Sequence, residues 1–144
     1  MVLVPAVAII DDYPDNRLLL REVLSERYEV REYPSGADAL EGLPRNLPDV
    51  VLCDVSMPGM DGFEVVARIR ADPRLRHLPV IAVTAHGPSN SERYLESGFT
   101  DHIHMPLVDE RVLERAIERW VSTRADRDKG QDHSGGATRN DDKP

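Results

Sequence analysis

DVVLCDVSMPGMDG, residues 49–62, joins a short apolar run to an aspartate and a turn. The run VVLC shows no alternation of polar and apolar residues, which is typical of a strand that is covered on both faces in a parallel sheet. A proline and two glycines follow closely, and these residues favour a turn. The stretch therefore predicts a central, buried strand that places the carboxylate of Asp54 at its carboxyl end.

Four further segments have the character of strands, and segments with helical periodicity separate them. In chain order they are AVAII (6–10), YEVREY (28–33), PVIAVTA (79–85) and DHIHM (101–105). The first is apolar throughout and the third is apolar except for Thr84. The second alternates and is predicted at the sheet edge, and the last is more polar. Strands that alternate with helices build a parallel sheet that is covered by helices. The predicted fold class is therefore α/β, a five-stranded parallel sheet of (βα)5 architecture.

The spacing of apolar residues predicts the helices between these strands. The first begins at about Pro14, a residue suited to the first turn, and four apolar residues recur on one predicted face: Leu19, Leu20, Val23 and Leu24. Another spans about residues 62–71. The last spans about residues 109–122 and opens with acidic residues near the positive end of the helix dipole.

Length, charge and cysteine content limit the classes of function. A chain of 144 residues fits one domain with its own hydrophobic core. A formal net charge of -8, without a cluster of Lys and Arg, argues against nucleic acid and an anionic membrane as partners. The apolar N-terminal segment lacks a basic region, so it predicts a strand rather than a signal peptide or a membrane span. Cys53 lies within an apolar run, which favours a core residue in a reducing cytoplasm.

The composition changes near the C-terminus. Residues 123–144 contain no apolar residue larger than alanine, and their five basic residues balance five aspartates. Such a segment buries too little apolar surface to offset the entropy lost on ordering. We therefore expect one folded domain over residues 1–122 and a disordered polar tail over residues 123–144.

Three carboxylates and one hydroxyl are predicted to meet at one edge of the sheet. Ligands of open parallel sheets bind outside the carboxyl ends of the strands. Asp11 and Asp12 follow the first strand, whereas Asp54 and Thr84 end the third and the fourth. Clustered carboxylates raise one another's pKa unless a cation offsets them, and an all-oxygen site suits Mg²⁺ or Mn²⁺. With such an ion bound, a carboxylate can attack phosphorus and form an aspartyl phosphate.

In this order and spacing, the motifs resemble the receiver domain of bacterial two-component response regulators. The resemblance covers about residues 3–122. It rests on Asp-Asp after the first strand, DVSMPGMDG after the third, a threonine after the fourth and a proline after the fifth. It implies a receiver domain over residues 1–122, with a doubly wound, flavodoxin-like sheet of strand order 2-1-3-4-5.

The resemblance also implies a role for each residue of the acidic edge. Asp54 resembles the phosphoacceptor. Asp12 and Asp54 resemble the direct metal ligands, together with the backbone carbonyl of Ser56, and Asp11 resembles a ligand that acts through water. Thr84 resembles the switch hydroxyl that turns toward the phosphoryl group.

The chain departs from the family pattern at two positions in the region of the fifth predicted strand. The family places a lysine immediately before the proline that follows the fifth strand, and this chain has Met105 there; three residues earlier, His102 replaces the usual tyrosine or phenylalanine. A lysine contact to the phosphoryl group contributes roughly 1.5–3 kcal/mol, so its loss is expected to weaken the switch by about 10- to 100-fold. His86 is a candidate donor to the phosphoryl group, and an exposed loop histidine without a role is an equal alternative.

The function implied is that of a stand-alone, single-domain response regulator. It would accept a phosphoryl group on Asp54, with Mg²⁺, from a histidine kinase or a phosphotransfer protein. Its own chemistry would be limited to self-phosphorylation and self-dephosphorylation, without turnover of external substrates. Output would pass to an unknown downstream protein by contact with the face of the fourth helix, fifth strand and last helix, and weak homodimerisation stays open.

Two alternatives stay open. A degenerate receiver would act as a phosphorylation-independent interaction module, and Met105 and His102 favour this reading. An aspartyl phosphatase usually carries a second aspartate two residues after its nucleophile, and Ser56 occupies that place here. The phosphatase therefore ranks third.

Overall fold

The centre of the fold is a five-stranded parallel sheet, seen in a computed structural model that describes residues 4–85, 91–107 and 109–121. Its strand order is β2-β1-β3-β4-β5, and every neighbouring pair is parallel. The strands are β1 (Ala6–Ile10), β2 (Glu29–Tyr33), β3 (Val50–Asp54), β4 (Val80–Thr84) and β5 (Asp101–His104). The predicted fold class and strand order are confirmed.

Helices cover both faces of this sheet. They are α1 (Pro14–Leu24), α2 (Gly36–Gly42), α3 (Gly62–Ala71), α4 (Ser91–Glu96) and α5 (110–121), and a short 3-10 turn, Leu43–Arg45, follows α2. Side chains of α1 and α5 join one hydrophobic cluster, and side chains of α2, α3 and α4 join the other. The predicted polar tail, residues 123–144, lies outside the described residues.

The buried strands contribute side chains to both clusters. Within β1, Val7 and Ile9 point to the α1 and α5 side, whereas Ala8 and Ile10 point to the opposite side. All residues of β1 and β4 are buried. Because neither face of these strands is exposed to water, their sequences need no polar alternation.

Helix α1 has a narrower buried face than its sequence predicts. Leu20 and Leu24 are buried, but Leu19 is 40% exposed. Leu19 therefore shares the predicted apolar face of the helix but lies at its partly exposed border. Leu20 and Leu24 are one turn apart and lie above one another, whereas Leu19 is rotated about 100° from Leu20 around the helix axis.

No helix within the described ranges is long and apolar enough to cross a membrane.

Candidate functional site

Three carboxylates meet at the carboxyl edge of the sheet. Asp11 and Asp12 follow β1, and Asp54 is the last residue of β3, the strand that pairs with β1. Carboxylate oxygens of the three residues lie within 4.8 Å of one another. Asp11 is buried, Asp54 is half-buried and Asp12 is exposed, so the cluster is open to solvent on one side.

Burial and mutual repulsion make this cluster unfavourable while all three groups are ionised. The pKa of Asp54 is raised to about 6, chiefly by burial and then by the charge of Asp11. The N–H of Ser56 donates to Asp54 Oδ1 at 3.2 Å and partly opposes this rise. Burial also raises the pKa of Asp11, although the N–H of Tyr13 donates to its Oδ1 at 2.9 Å. A cation bound among these oxygens would offset the repulsion between the carboxylates.

The turn after β3 is held closely against the end of that strand. Asp61 caps α3 by accepting a hydrogen bond from the N–H of Glu64 at 2.9 Å. The N–H of Gly62 donates to the carbonyl of Val55 at 2.9 Å. A Cβ at Gly62 would lie 2.5 Å from the carbonyl oxygen of Asp54, so only glycine fits between helix and strand. The Asp-Gly pair of the sequence motif therefore positions the loop beside Asp54.

Thr84 is buried at the end of β4, with 3% of its surface exposed. It follows Val83, which is the register partner of Asp54, so both residues lie at the same edge of the sheet. The hydroxyl of Tyr94 donates to Thr84 Oγ1 at 3.0 Å in a buried hydrogen bond. Directly after the neighbouring strand β5, the N–H of Met105 donates to the Thr84 carbonyl at 2.7 Å.

Tyr94 is a residue of this region that the sequence analysis did not identify. It belongs to α4 and is 2% exposed, although its sequence surroundings, NSERYLESG, are mostly polar. The available signal was the residue type, because a buried tyrosine normally finds a partner for its hydroxyl. The identity of that partner could not be read from a helix of six residues.

A small cavity adjoins the acidic cluster between the β3–α3 loop and α4. Its volume is about 320 Å³, and its lining includes Ser56, Asp61, Phe63, Arg93 and Tyr94. The guanidinium of Arg93 lies over the Phe63 ring, 4.3 Å from its centroid. The lining therefore combines one basic and two aromatic side chains with the carboxylate of Asp61.

Met105 and His102, at which the chain departs from the family pattern, have less polar surroundings than the acidic edge. The side chain of Met105 is half-buried and packs against the hydrophobic cluster that contains residues of α1 and α5. His102 is also half-buried, and its ring centroid is 5.6 Å from that of Tyr94. His86 lies outside the described residues.

Cys53 has the structural environment expected from its sequence context. It is fully buried within β3 and forms no disulfide. Burial raises the pKa of its thiol, with smaller contributions from the nearby aspartates. The prediction of a core residue is confirmed.

Comparison with known proteins gives one consistent result. Residues 7–118 match the family model of the response regulator receiver domain. Response regulator PleD of Caulobacter vibrioides is 40% identical over 111 residues, which are 76% of this chain and 24% of PleD. The signal receiver domain of a signal transduction histidine kinase from Syntrophus aciditrophicus has a TM-score of 0.75 at 31% identity, over 83% of this chain and 91% of that chain.

A further similar structure was solved with a metal. The receiver domain of a sensor histidine kinase from Pseudomonas aeruginosa, with a magnesium ion coordinated in its active-site cleft, has a TM-score of 0.76. Its identity is 26%, over 83% of this chain and 99% of that chain.

The matched segment and the described site coincide. This chain spans about a quarter of the length of PleD and nearly all of the two solved receiver domains. The matched residues run from β1 into α5 and include all three aspartates and Thr84. By its family match, its strand order and the similar solved structures, the chain belongs to the response regulator receiver domain family.

Proposed function

We propose that the protein accepts a phosphoryl group on Asp54 from a histidine kinase or a phosphotransfer protein. The observation that carries this proposal is the convergence of three carboxylates within 4.8 Å, one of them at the end of a central strand. A carboxylate oxygen of Asp54 attacks the phosphorus while the bond to the donor's imidazole nitrogen breaks. The electron pair of that bond stays with the imidazole, and the product is an aspartyl phosphate.

The residues present fit a magnesium or manganese ion. Their side chains offer carboxylate oxygens alone, which suit hard divalent cations, and burial and the charge of Asp11 raise the pKa of Asp54, a rise that a bound cation would oppose. We assign Asp12, Asp54 and the carbonyl of Ser56 as direct ligands and Asp11 as a ligand through water. When bound, such an ion neutralises charge on the transferred group and aligns it for attack.

One residue of the chain's own switch region, Met105, limits the response to phosphorylation. In the proposed function, Met105 stands where the family carries lysine, and its thioether offers neither charge nor a hydrogen-bond donor. Its half-buried packing against the α1 and α5 cluster supports an apolar role. His86 remains a candidate contact to the phosphoryl group. Phosphoryl transfer then depends on the acidic edge, while the switch is weaker than in relatives with lysine.

Output passes through protein contact in this proposal. A groove of about 260 Å³ lies along β5 and α5, and its lining includes His102, Val112, Arg115 and Arg119. Val112 is 53% exposed, so the groove presents an apolar side chain together with two arginines and with Asp101, which lies 4.0 Å from Arg119. We assign this face to an unidentified downstream protein in the cytoplasm, and weak self-association through it is compatible with the same surface.

The second candidate function is a receiver that binds its partner without phosphorylation. The apolar packing of Met105 is the observation that favours it, because the side chain has no means of following a phosphoryl group. The two functions share the fold and the output face. They differ in whether Asp54 reacts.

The discriminating experiment is incubation with acetyl phosphate and Mg²⁺, read by intact mass. We expect an adduct on the wild type that disappears in Asp54→Ala and when EDTA replaces Mg²⁺. Asp38→Asn, which alters an exposed carboxylate in the first turn of α2, is the matched control and should retain the adduct. A wild type without an adduct would support the phosphorylation-independent function instead.

A further inference from the structure

Two buried hydroxyl groups pair beside the proposed phosphorylation site. Tyr94 is 2% exposed and Thr84 is 3% exposed. The Tyr94 hydroxyl donates to Thr84 Oγ1 at 3.0 Å. A threonine oxygen that accepts this bond keeps its own hydrogen for a different acceptor. The tyrosine therefore restricts the directions in which the Thr84 hydroxyl can donate.

The aromatic ring that carries this hydroxyl is held by three other rings. Phe63, at the start of α3, stacks on Tyr94 with centroids 5.8 Å apart and planes 13° apart. Phe99 meets Tyr94 edge to face at 6.1 Å. His102 of β5 covers it at 5.6 Å. Because these contacts come from separate elements, the position of the Tyr94 oxygen is set by tertiary packing rather than by α4 alone.

We infer that Tyr94 is a positioning residue, which orients the Thr84 hydroxyl for the phosphoryl group on Asp54 and couples that hydroxyl directly to α4. The inference rests on the proposed function. A donor on Thr84 Oγ1 polarises the Thr84 O–H and strengthens its bond to a phosphoryl oxygen. The ring that performs this coupling belongs to α4, while His102, at the aromatic position of β5, packs against it from outside.

The test compares Tyr94→Phe with Thr84→Val and the double variant. Each protein is titrated with beryllofluoride, a phosphoryl mimic, in the presence of Mg²⁺. Tyr94→Phe keeps the ring contacts and removes the hydroxyl, so we expect binding to weaken by about 2- to 10-fold, as for one hydrogen bond. In the Thr84→Val background the same change should have no further effect, because Tyr94 acts through Thr84.

A matched control separates positioning from loss of packing. Tyr28 is also buried, and it lies in the hydrophobic cluster on the opposite face of the sheet. Tyr28→Phe should leave beryllofluoride affinity unchanged. Independently of any phosphoryl group, Tyr94→Phe should shift the Thr84 methyl resonance in the metal-free protein, and Tyr28→Phe should not.

The possible outcomes distinguish this inference from the proposed function. If the wild type binds beryllofluoride and Tyr94→Phe binds it equally well, the positioning role is wrong and the proposed function stands. An equal loss in the wild-type and Thr84→Val backgrounds would also overturn the positioning role. If the wild type neither binds beryllofluoride nor forms an acetyl phosphate adduct, the proposed function fails and this inference fails with it.

Discussion

Asp11 directly follows β1, Asp54 is the last residue of the paired strand β3, and the charge of Asp11 helps to raise the pKa of Asp54 to about 6. Burial is the larger cause of this rise. The two carboxylates therefore oppose each other in the metal-free protein. Because this pair is repulsive, its contribution can be measured as a change in the free energy of unfolding of the metal-free protein.

Replacing Asp54 with asparagine should stabilise the metal-free protein above about pH 6. The folded state holds the Asp54 proton with a pKa of about 6, against 3.8 for an ordinary aspartate, so ionisation is less favourable in the folded state. The resulting penalty is absent below about pH 4, grows between about pH 4 and 6, and is complete at higher pH. We expect Asp54→Asn to raise the free energy of unfolding by about 1–2 kcal/mol near neutral pH, allowing for solvent screening.

Urea titrations in EDTA, at about pH 7.5 and about pH 4.5, measure this difference. The gain should be present at the higher pH and much smaller at the lower one. Asp38→Asn serves as the exposed control, with no comparable gain. A gain that is equal at both pH values would contradict the assignment to Asp54 ionisation.

Magnesium should raise the thermal stability of the wild type and not that of Asp12→Asn. A ligand that binds the folded state alone stabilises it by about 1.4 kcal/mol when its free concentration is ten times its dissociation constant. Differential scanning calorimetry with and without Mg²⁺, at matched ionic strength, measures the shift in Tm. An equal shift in both proteins would place the ion elsewhere.

Gly62→Ala should destabilise the protein, although alanine is the better helix former at most helical positions. The added Cβ would lie 2.5 Å from the carbonyl oxygen of Asp54 and 2.7 Å from the Cα of Val55, and these backbone atoms cannot rotate away. We expect a loss of about 1–3 kcal/mol in the free energy of unfolding, together with weaker Mg²⁺ binding.

Gly59→Ala is the matched comparison within the same loop. Gly59 has a φ of 75° and no neighbour within 4 Å of a built Cβ, so its substitution strains the backbone without moving Asp54. The predicted cost is about 1–2 kcal/mol, with Mg²⁺ affinity unchanged. Unaltered stability and metal affinity in Gly62→Ala would show that helix and strand tolerate a wider separation.

Met105→Lys should enlarge the remote response to a phosphoryl mimic. A lysine ammonium gains a contact that exists only with the phosphoryl group present, and such differential contacts shift a two-state equilibrium. With Mg²⁺ and beryllofluoride bound, we expect larger amide chemical-shift changes around Thr84, His102 and residues 91–97 than in the wild type. Changes near Asp54 should be similar in both proteins.

Met105→Leu is the apolar control and should behave as the wild type does. The free energy of the lysine contact corresponds to a shift of about 10- to 100-fold in the equilibrium between the two states of the switch. If the wild type already gives the full remote response and lysine adds nothing, another group supplies the missing charge, with His86 the first candidate.

The sequence alone determined the sheet and the convergence of its acidic residues. The apolar runs of β1, β3 and β4 lack alternation because both faces of these strands are buried, and this pattern identifies central parallel strands. Parallel strands bring their carboxyl ends to one edge, so Asp11, Asp12 and Asp54 were predicted at the same edge once the strands were recognised, and the pairing of β1 with β3 makes them neighbours. The start of α1 at Pro14 followed from the fixed backbone angle of proline.

Only the tertiary structure decided the partners of individual side chains. Leu19 and Leu20 are adjacent in sequence, yet one is exposed and the other buried, because the way α1 lies on the sheet selects a narrow stripe. The pairing of Tyr94 with Thr84 joins a six-residue helix to the end of a strand. So short a helix has no clear periodicity, and its rotation is set by contacts with Phe63, Phe99 and His102. Local sequence patterns report which residues are apolar, but a hydrogen bond between distant residues depends on how the elements pack.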